Sequence, residues 1–180
     1  MAEAVSRVPT PAPARLEAAS SAVLVLDLTT PAEGSNPLHQ TILPRLAEFL
    51  KRARTASVPI IFTGARTQLG QPVESALEQR EHEPLLYPDA FDKFKPGELL
   101  PLLTKVGARE VVITGGAANM AVMYTGTAAA RDHHLQVYIP LDGVYSHDAY
   151  RYEYALYQLT VLPGSTIPPR FTTLADIDFY

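Results

Sequence analysis

This chain of 180 residues contains no cysteine. That absence excludes disulfides, zinc–thiolate sites and every mechanism in which a protein thiol is the nucleophile. It leaves the compartment open, with a reducing cytoplasm as the simpler expectation. Long apolar runs are missing too. None approaches the roughly 20 residues that cross a bilayer as a helix, so no membrane partner is expected. Basic charge is scarce: 15 Lys+Arg stand against 19 Asp+Glu, a formal net charge of -4. Such a chain lacks the cationic surplus that nucleic acid or an anionic membrane surface selects. The first twenty residues are rich in Ala and Pro, with Pro9, Pro11 and Pro13 close together, and lack the basic-then-apolar order of a secretory signal. They read as a flexible N-terminal arm (1–20), leaving 21–180 as one domain.

What is present reads as an ordinary globular composition, 47% hydrophobic and 19% charged. A continuous apolar run at 22–28, broken only by Asp27, suits a strand buried on both faces of a parallel sheet. A loop follows over 29–37, marked by Pro31, Gly34, Asn36 and Pro37. Ile42, Leu46, Phe49 and Ala53 recur at helical spacing, so a helix is expected over 38–56, with Pro44 marking its true first turn or a kink. Further strands are expected at 58–63, 111–114 and 136–140, and a last short one near Phe171. Further helices are expected at 73–79, 98–106, 119–132 and 149–159. Strand–helix alternation throughout predicts an α/β fold, a three-layer α/β/α sandwich around a mostly parallel sheet.

In such sheets ligands bind at the carboxyl ends of the strands. Three places qualify: Asp27, the stretch 63–66 with Arg66, and the turn at 115–121. Residues 111–125 read Val-Val-Ile-Thr-Gly-Gly-Ala-Ala-Asn-Met-Ala-Val-Met-Tyr-Thr, an apolar strand running through small residues into a helix. The start of such a helix offers backbone N–H groups and a positive dipole end to a developing oxyanion. The residue placed there is Ala121. An acid such as Asp27 at the end of a buried strand is costly without a partner, which marks it as a functional candidate; the alternative is an aspartate capping the turn at Thr29–Thr30. Arg66 is either a bidentate clamp for a substrate carboxylate or a surface arginine. Tyr145, His147 and Tyr150 follow the fourth strand and are placed to line a pocket mouth. His133 and His134 are adjacent on a helix, point apart and make a poor metal pair.

Together these residues resemble the isochorismatase-like superfamily of hydrolases, often called cysteine hydrolases. Val23-Leu24-Val25-Leu26-Asp27 is similar to the family's first strand with its catalytic aspartate. Asp92-Lys93-Phe94-Lys95-Pro96-Gly97-Glu98-Leu99 resembles its aromatic-then-Leu helix start. Gly115-Gly116-Ala117-Ala118-Asn119-Met120-Ala121-Val122 resembles its Gly-x-Ala-Thr-Asn/Asp-x-Cys-Val nucleophile turn. The resemblance implies the same Rossmann-like three-layer fold and an Asp–Lys–Cys triad. Carried over, the aspartate is Asp27 and the cysteine position is Ala121. The family's threonine is Ala118. The lysine, counted back from Phe94, falls on Pro88. Lys93 or Lys95 either replaces it or is a solvated charge.

The resemblance also implies a cis peptide at Gly116–Ala117 and an oxyanion hole from the N–H groups of Ala117 and Ala121. The departures at Pro88 and Ala118 exceed what a Cys-to-Ala exchange alone would leave, and point to a branch without the thiol. The metal-binding nicotinamidases of the family carry Asp-x-His after the second strand. Here residues 63–68 read Thr-Gly-Ala-Arg-Thr-Gln, so neither a metal nor a cofactor is expected. The implied function is hydrolysis of a small molecule without a covalent intermediate, as in thiol-less members that act on a vinyl ether, with Asp27 as general acid/base. The alternative is a catalytically silent homologue that binds a small carboxylate or amide or serves as an oligomer subunit. The expected partners are a small-molecule ligand and further copies of the chain.

Overall fold

The computed structural model describes residues 8–31, 34, 36–162 and 164–180. Its strands are β1 (Ala14–Leu16), β2 (Ser21–Leu26), β3 (Ile60–Thr63), β4 (Leu85–Leu86), β5 (Glu110–Gly115), β6 (Gln136–Pro140), β7 (Arg170–Thr172) and β8 (Ile177–Phe179). Its α-helices are α1 (Pro37–Gln40), α2 (Leu43–Thr55), α3 (Leu99–Lys105), α4 (Met123–Thr127) and α5 (Ala149–Thr160). Six of the strands form one sheet in the order β4-β3-β2-β5-β6-β7. Every pairing in it is parallel.

The central strand explains the layers. All six residues of β2 are buried. Val23 and Val25 join the core cluster that includes Leu46, Phe49 and Leu50 of α2. Ala22, Leu24 and Leu26 join the opposite cluster, with Leu99 and Leu103 of α3 and Leu156 and Leu159 of α5. Successive side chains of a strand point to opposite faces, so one apolar run supplies both cores. That is the three-layer α/β/α sandwich expected from the alternation of elements.

Several boundaries differ from the expected ones for local reasons. The first strand stops at Leu26 because Asp27 turns into a left-handed conformation, φ 55°. The helix expected over 38–56 is two: α1, with Asn36 accepting from the Leu38 N–H, and α2, with Pro44 in its first turn. Proline tolerates a first turn because the N–H it lacks has no partner there. The expected helix at 73–79 shrinks to a 3-10 turn, Ser75–Leu77. The one at 119–132 is α4 flanked by wider π turns at Ala118–Val122 and Ala128–Asp132, with Met120 out of helical geometry (φ -120°, ψ -105°). Strands β4 and β8 were not expected; they are two and three residues long, too short for periodicity to reveal.

The N-terminal arm is also corrected. Residues 1–7 lie outside the described residues. Beyond them the chain packs on its own domain: β1 pairs in parallel with β8, Ala14 opposite Ile177 and Leu16 opposite Phe179. Leu16 and Ile177 are completely buried. Ala14 and Leu16 face inward around exposed Arg15, and this alternation outweighs the proline-rich stretch before it.

At the sheet edge, Arg54 of α2 grips Glu83 with two hydrogen bonds, Nε to Oε1 at 2.7 Å and Nη2 to Oε2 at 2.9 Å. Burial alone would push the Glu83 carboxyl up; the Arg54 hydrogen bonds and the Arg80 N–H more than offset it and hold the group below its ordinary value of 4.5. A depressed carboxyl contributes stability above its unfolded value and loses it as pH falls through the folded one. Acid unfolding of the wild type should therefore include a component below about pH 4.5 that Glu83→Gln lacks, read as a flatter stability–pH curve for the variant. Leu16→Ala should cost about 2–4 kcal/mol in urea denaturation. An unpacked arm would lose less than about 0.5 kcal/mol.

Candidate active site

The end of β2 fixes the first group. The Asp27 N–H donates to the Thr63 carbonyl at 2.8 Å, extending the β2–β3 pairing by one bond as the chain turns away. The turn presents the carboxylate to β3, where the Thr63 hydroxyl donates to Oδ1 at 3.0 Å. The other oxygen, Oδ2, lies 2.8 Å from Lys93 Nζ. The Lys93 side chain is 2% exposed and that of Asp27 16%. A lysine so deeply buried must be paired, and the carboxylate beside it is that partner.

Local chemistry places Lys93. Its N–H donates to the Thr125 hydroxyl at 3.1 Å, and that hydroxyl donates to the Phe91 carbonyl at 3.2 Å. Thr125 sits on α4, so this helix holds the loop that carries the ammonium. Phe94, next along, is buried with its ring 4.2 Å from that of His133. Counting back from Phe94 had put the lysine position at Pro88, leaving that function without a residue. The ammonium beside Asp27 belongs to Lys93, and Pro88 lines the same cavity. Lys95 is 77% exposed, 3.8 Å from Asp92, and takes no part.

The end of β5 builds the third wall. Gly115 has φ 94°, and a Cβ there would lie 2.1 Å from the Leu26 carbonyl oxygen, so a side chain is excluded. The Gly116 N–H donates to that same carbonyl at 3.0 Å, which ties the turn to the residue before Asp27. The Gly116–Ala117 peptide is cis. Tyr145 closes the turn from the other side. Its N–H donates to the Gly115 carbonyl at 3.0 Å, and its carbonyl accepts from the Ala118 N–H at 2.8 Å. Its ring lies on Gly116 so closely that a Cβ would meet it at 2.6 Å. The Ala117 carbonyl accepts from Met120 at 3.0 Å and from Val122 at 3.4 Å. Ala117, Ala118 and Ala121 are all buried, Ala121 to 1% exposure.

A cavity of about 410 Å³ opens beside these groups, lined by Asp27, Arg66, Pro88, Phe91 and Lys93 among others. Arg66 is exposed at its rim. Ala121 is not part of its wall. Burial, and then the Asp27 charge, raise the Tyr145 phenol well above its ordinary value, so it stays protonated. Behind Tyr145 stands a pair the sequence reading missed. His39 Nδ1 and Glu74 Oε1 lie 2.6 Å apart, both side chains under 5% exposed. The His39 ring is 5.1 Å from that of Tyr145, and the Thr30 hydroxyl donates to Glu74 Oε2 at 3.0 Å. Among the described residues no group of three or more His, Cys, Asp or Glu side chains is arranged to hold a metal ion.

Comparisons follow the same lines. Residues 21–177 match the family model described as the isochorismatase domain. A cysteine hydrolase from Pseudomonas syringae pv. phaseolicola 1448A superposes with a TM-score of 0.74 at 16% identity, over 98% of this chain and 96% of that one. An isochorismatase-like hydrolase from Alkaliphilus metalliredigens gives a TM-score of 0.72 at 20% identity, over 87% and 96%. A pyrazinamidase/nicotinamidase from Streptococcus mutans UA159 gives 0.71 at 19% identity, over 84% and 99%. No curated protein sequence matches the chain. At such identities the structural likeness establishes the fold.

The ion pair makes a directional prediction. Lys93→Met leaves the Asp27 carboxylate without its counter-charge and should destabilise the fold by about 3 kcal/mol in urea unfolding. The double variant Lys93→Met/Asp27→Leu should recover most of that loss. A coupling energy near zero in the double-mutant cycle would mean the two groups do not interact.

Proposed function

The chain belongs to the isochorismatase family, and from that premise we propose that it hydrolyses a small molecule without a covalent thiol intermediate, Asp27 moving the proton and Lys93 serving as its charge partner. The observation that carries this reading is the 2.8 Å contact between Lys93 and Asp27 on the wall of a cavity with Arg66 at its rim. Water is the nucleophile, because the chain has no cysteine. The substrate class is an enol ether. Asp27 passes a proton to the alkene carbon, leaving an oxocarbenium ion. Water adds to the cationic carbon and returns a proton to the carboxylate. The hemiketal then breaks its C–O bond to give a carbonyl compound and an alcohol. One water is consumed and nothing is oxidised or reduced. Arg66 clamps a substrate carboxylate at the rim. Tyr145 remains a phenol and adds no negative charge beside Asp27.

One observation favours a second reading. Ala121 is 1% exposed, and the Tyr145 ring rests on Gly116, so the place of the family's thiol is closed rather than open to a substrate. On that reading the chain binds a small carboxylate or amide at the Arg66 rim and performs no chemistry. Under either reading the exposed stacked pairs Phe91–Tyr124 and Tyr150–Tyr154 are the surface proposed for homo-oligomer contact. We place it in the cytoplasm as the simpler expectation; among the described residues no helix is long and apolar enough to cross a membrane.

Turnover separates the readings. Wild type should hydrolyse isochorismate or a related enol ether, and Asp27→Asn should lower kcat by about 10²–10⁴-fold with a smaller change in KM. Equal activity of the two proteins removes Asp27 from the mechanism. No turnover, with saturable carboxylate binding that Arg66→Ala abolishes, selects the binding reading.

A further inference from the structure

A second cavity lies at the opposite, amino end of β3. It measures about 590 Å³, within the range of small-molecule sites. Val58, Pro59, Ile60, Leu102 and Val106 give it an apolar lining. Its floor is the Arg54–Glu83 pair, whose side chains are 6% and 3% exposed. Arg54 is held on three sides, by both Glu83 oxygens and by the Leu77 carbonyl at 3.0 Å. The charges of that pair cancel.

The rim is not cancelled. Glu83 is the one acid among the lining residues, and Arg54 already neutralises it. Arg80 and Lys105 remain as two cations with no ion-pair partner among the described residues, and His82 stands beside them. The whole chain carries a net charge of -4, so this is a cationic mouth on an acidic protein. A cavity with apolar walls and unpaired cations at its rim complements one kind of ligand, an apolar body ending in a single anionic group. We propose that this cavity binds a small amphipathic anion, with its carboxylate or sulfonate between Arg80 and Lys105 and its apolar body against Val58, Ile60, Leu102 and Val106. The site is separate from the Asp27 cavity. Ile60 lines it at one end of β3, and at the other end Thr63 donates to Asp27. The proposal does not depend on the hydrolase reading.

4-Phenylbutyrate is the probe, titrated into the full chain by calorimetry and followed by backbone amide shifts. It should bind saturably, moving the amides of residues 58, 60, 61 and 102–106. Arg80→Ala/Lys105→Ala should weaken it at least about tenfold, with circular dichroism unchanged because both side chains are exposed. Arg66→Ala should bind the probe as the wild type does, and neutral 4-phenylbutanol should bind at least about tenfold more weakly. Three results overturn the proposal: no saturable binding, equal affinity in the double variant, or shifts centred on residues 65–67 and 88–93.

Discussion

The contact between Lys93 and Asp27 is the constraint from which the site is built. A lysine at 2% exposure survives in a fold only if its charge is met, and the carboxylate that meets it is fixed in turn by Thr63 and by its own N–H. Three elements distant in sequence must therefore end at one point: β2 with the carboxylate, β3 with the hydroxyl, and the loop that α4 holds through Thr125. The parallel sheet makes this possible, since neighbouring strands all deliver their carboxyl ends to the same side. The turn after β5 joins through the Leu26 carbonyl, which accepts from Gly116 one residue before Asp27.

The site sets a charged pair, Asp27 and Lys93, beside a turn lined with alanine. That turn carries a cis peptide and a glycine where no side chain fits. Tyr145 covers it, and the buried His39–Glu74 pair stands behind Tyr145. A thiol-less centre thus stays ordered through backbone hydrogen bonds and ring packing, which do not depend on the side chain at 121.

The sequence made the layers legible because they rest on periodicity. One apolar run feeds both faces of β2, and α2 turns inward the helically spaced side chains of Leu46, Phe49 and Ala53. Asp27 was legible because a charge ending an apolar run is costly. The lysine was not. Irregular loops carry no period, so a count from Phe94 settled on Pro88, whereas the residue adjoining Phe94 carries the ammonium. His39 and Glu74 meet across a separation of 35 residues, and neither neighbourhood signals the other. β1 and β8 escaped for a related reason: each is three residues long, and only their pairing gives either an identity.

The most direct test of the central claim is amine-selective labelling of the folded chain, read at Lys93 and Lys95 by mass spectrometry. Lys93, 2% exposed and held by Asp27, should resist while the exposed Lys95 reacts, and Asp27→Asn should raise the Lys93 rate. Equal labelling of the two lysines in the folded wild type would contradict the account, because Lys93 would then not be buried against Asp27.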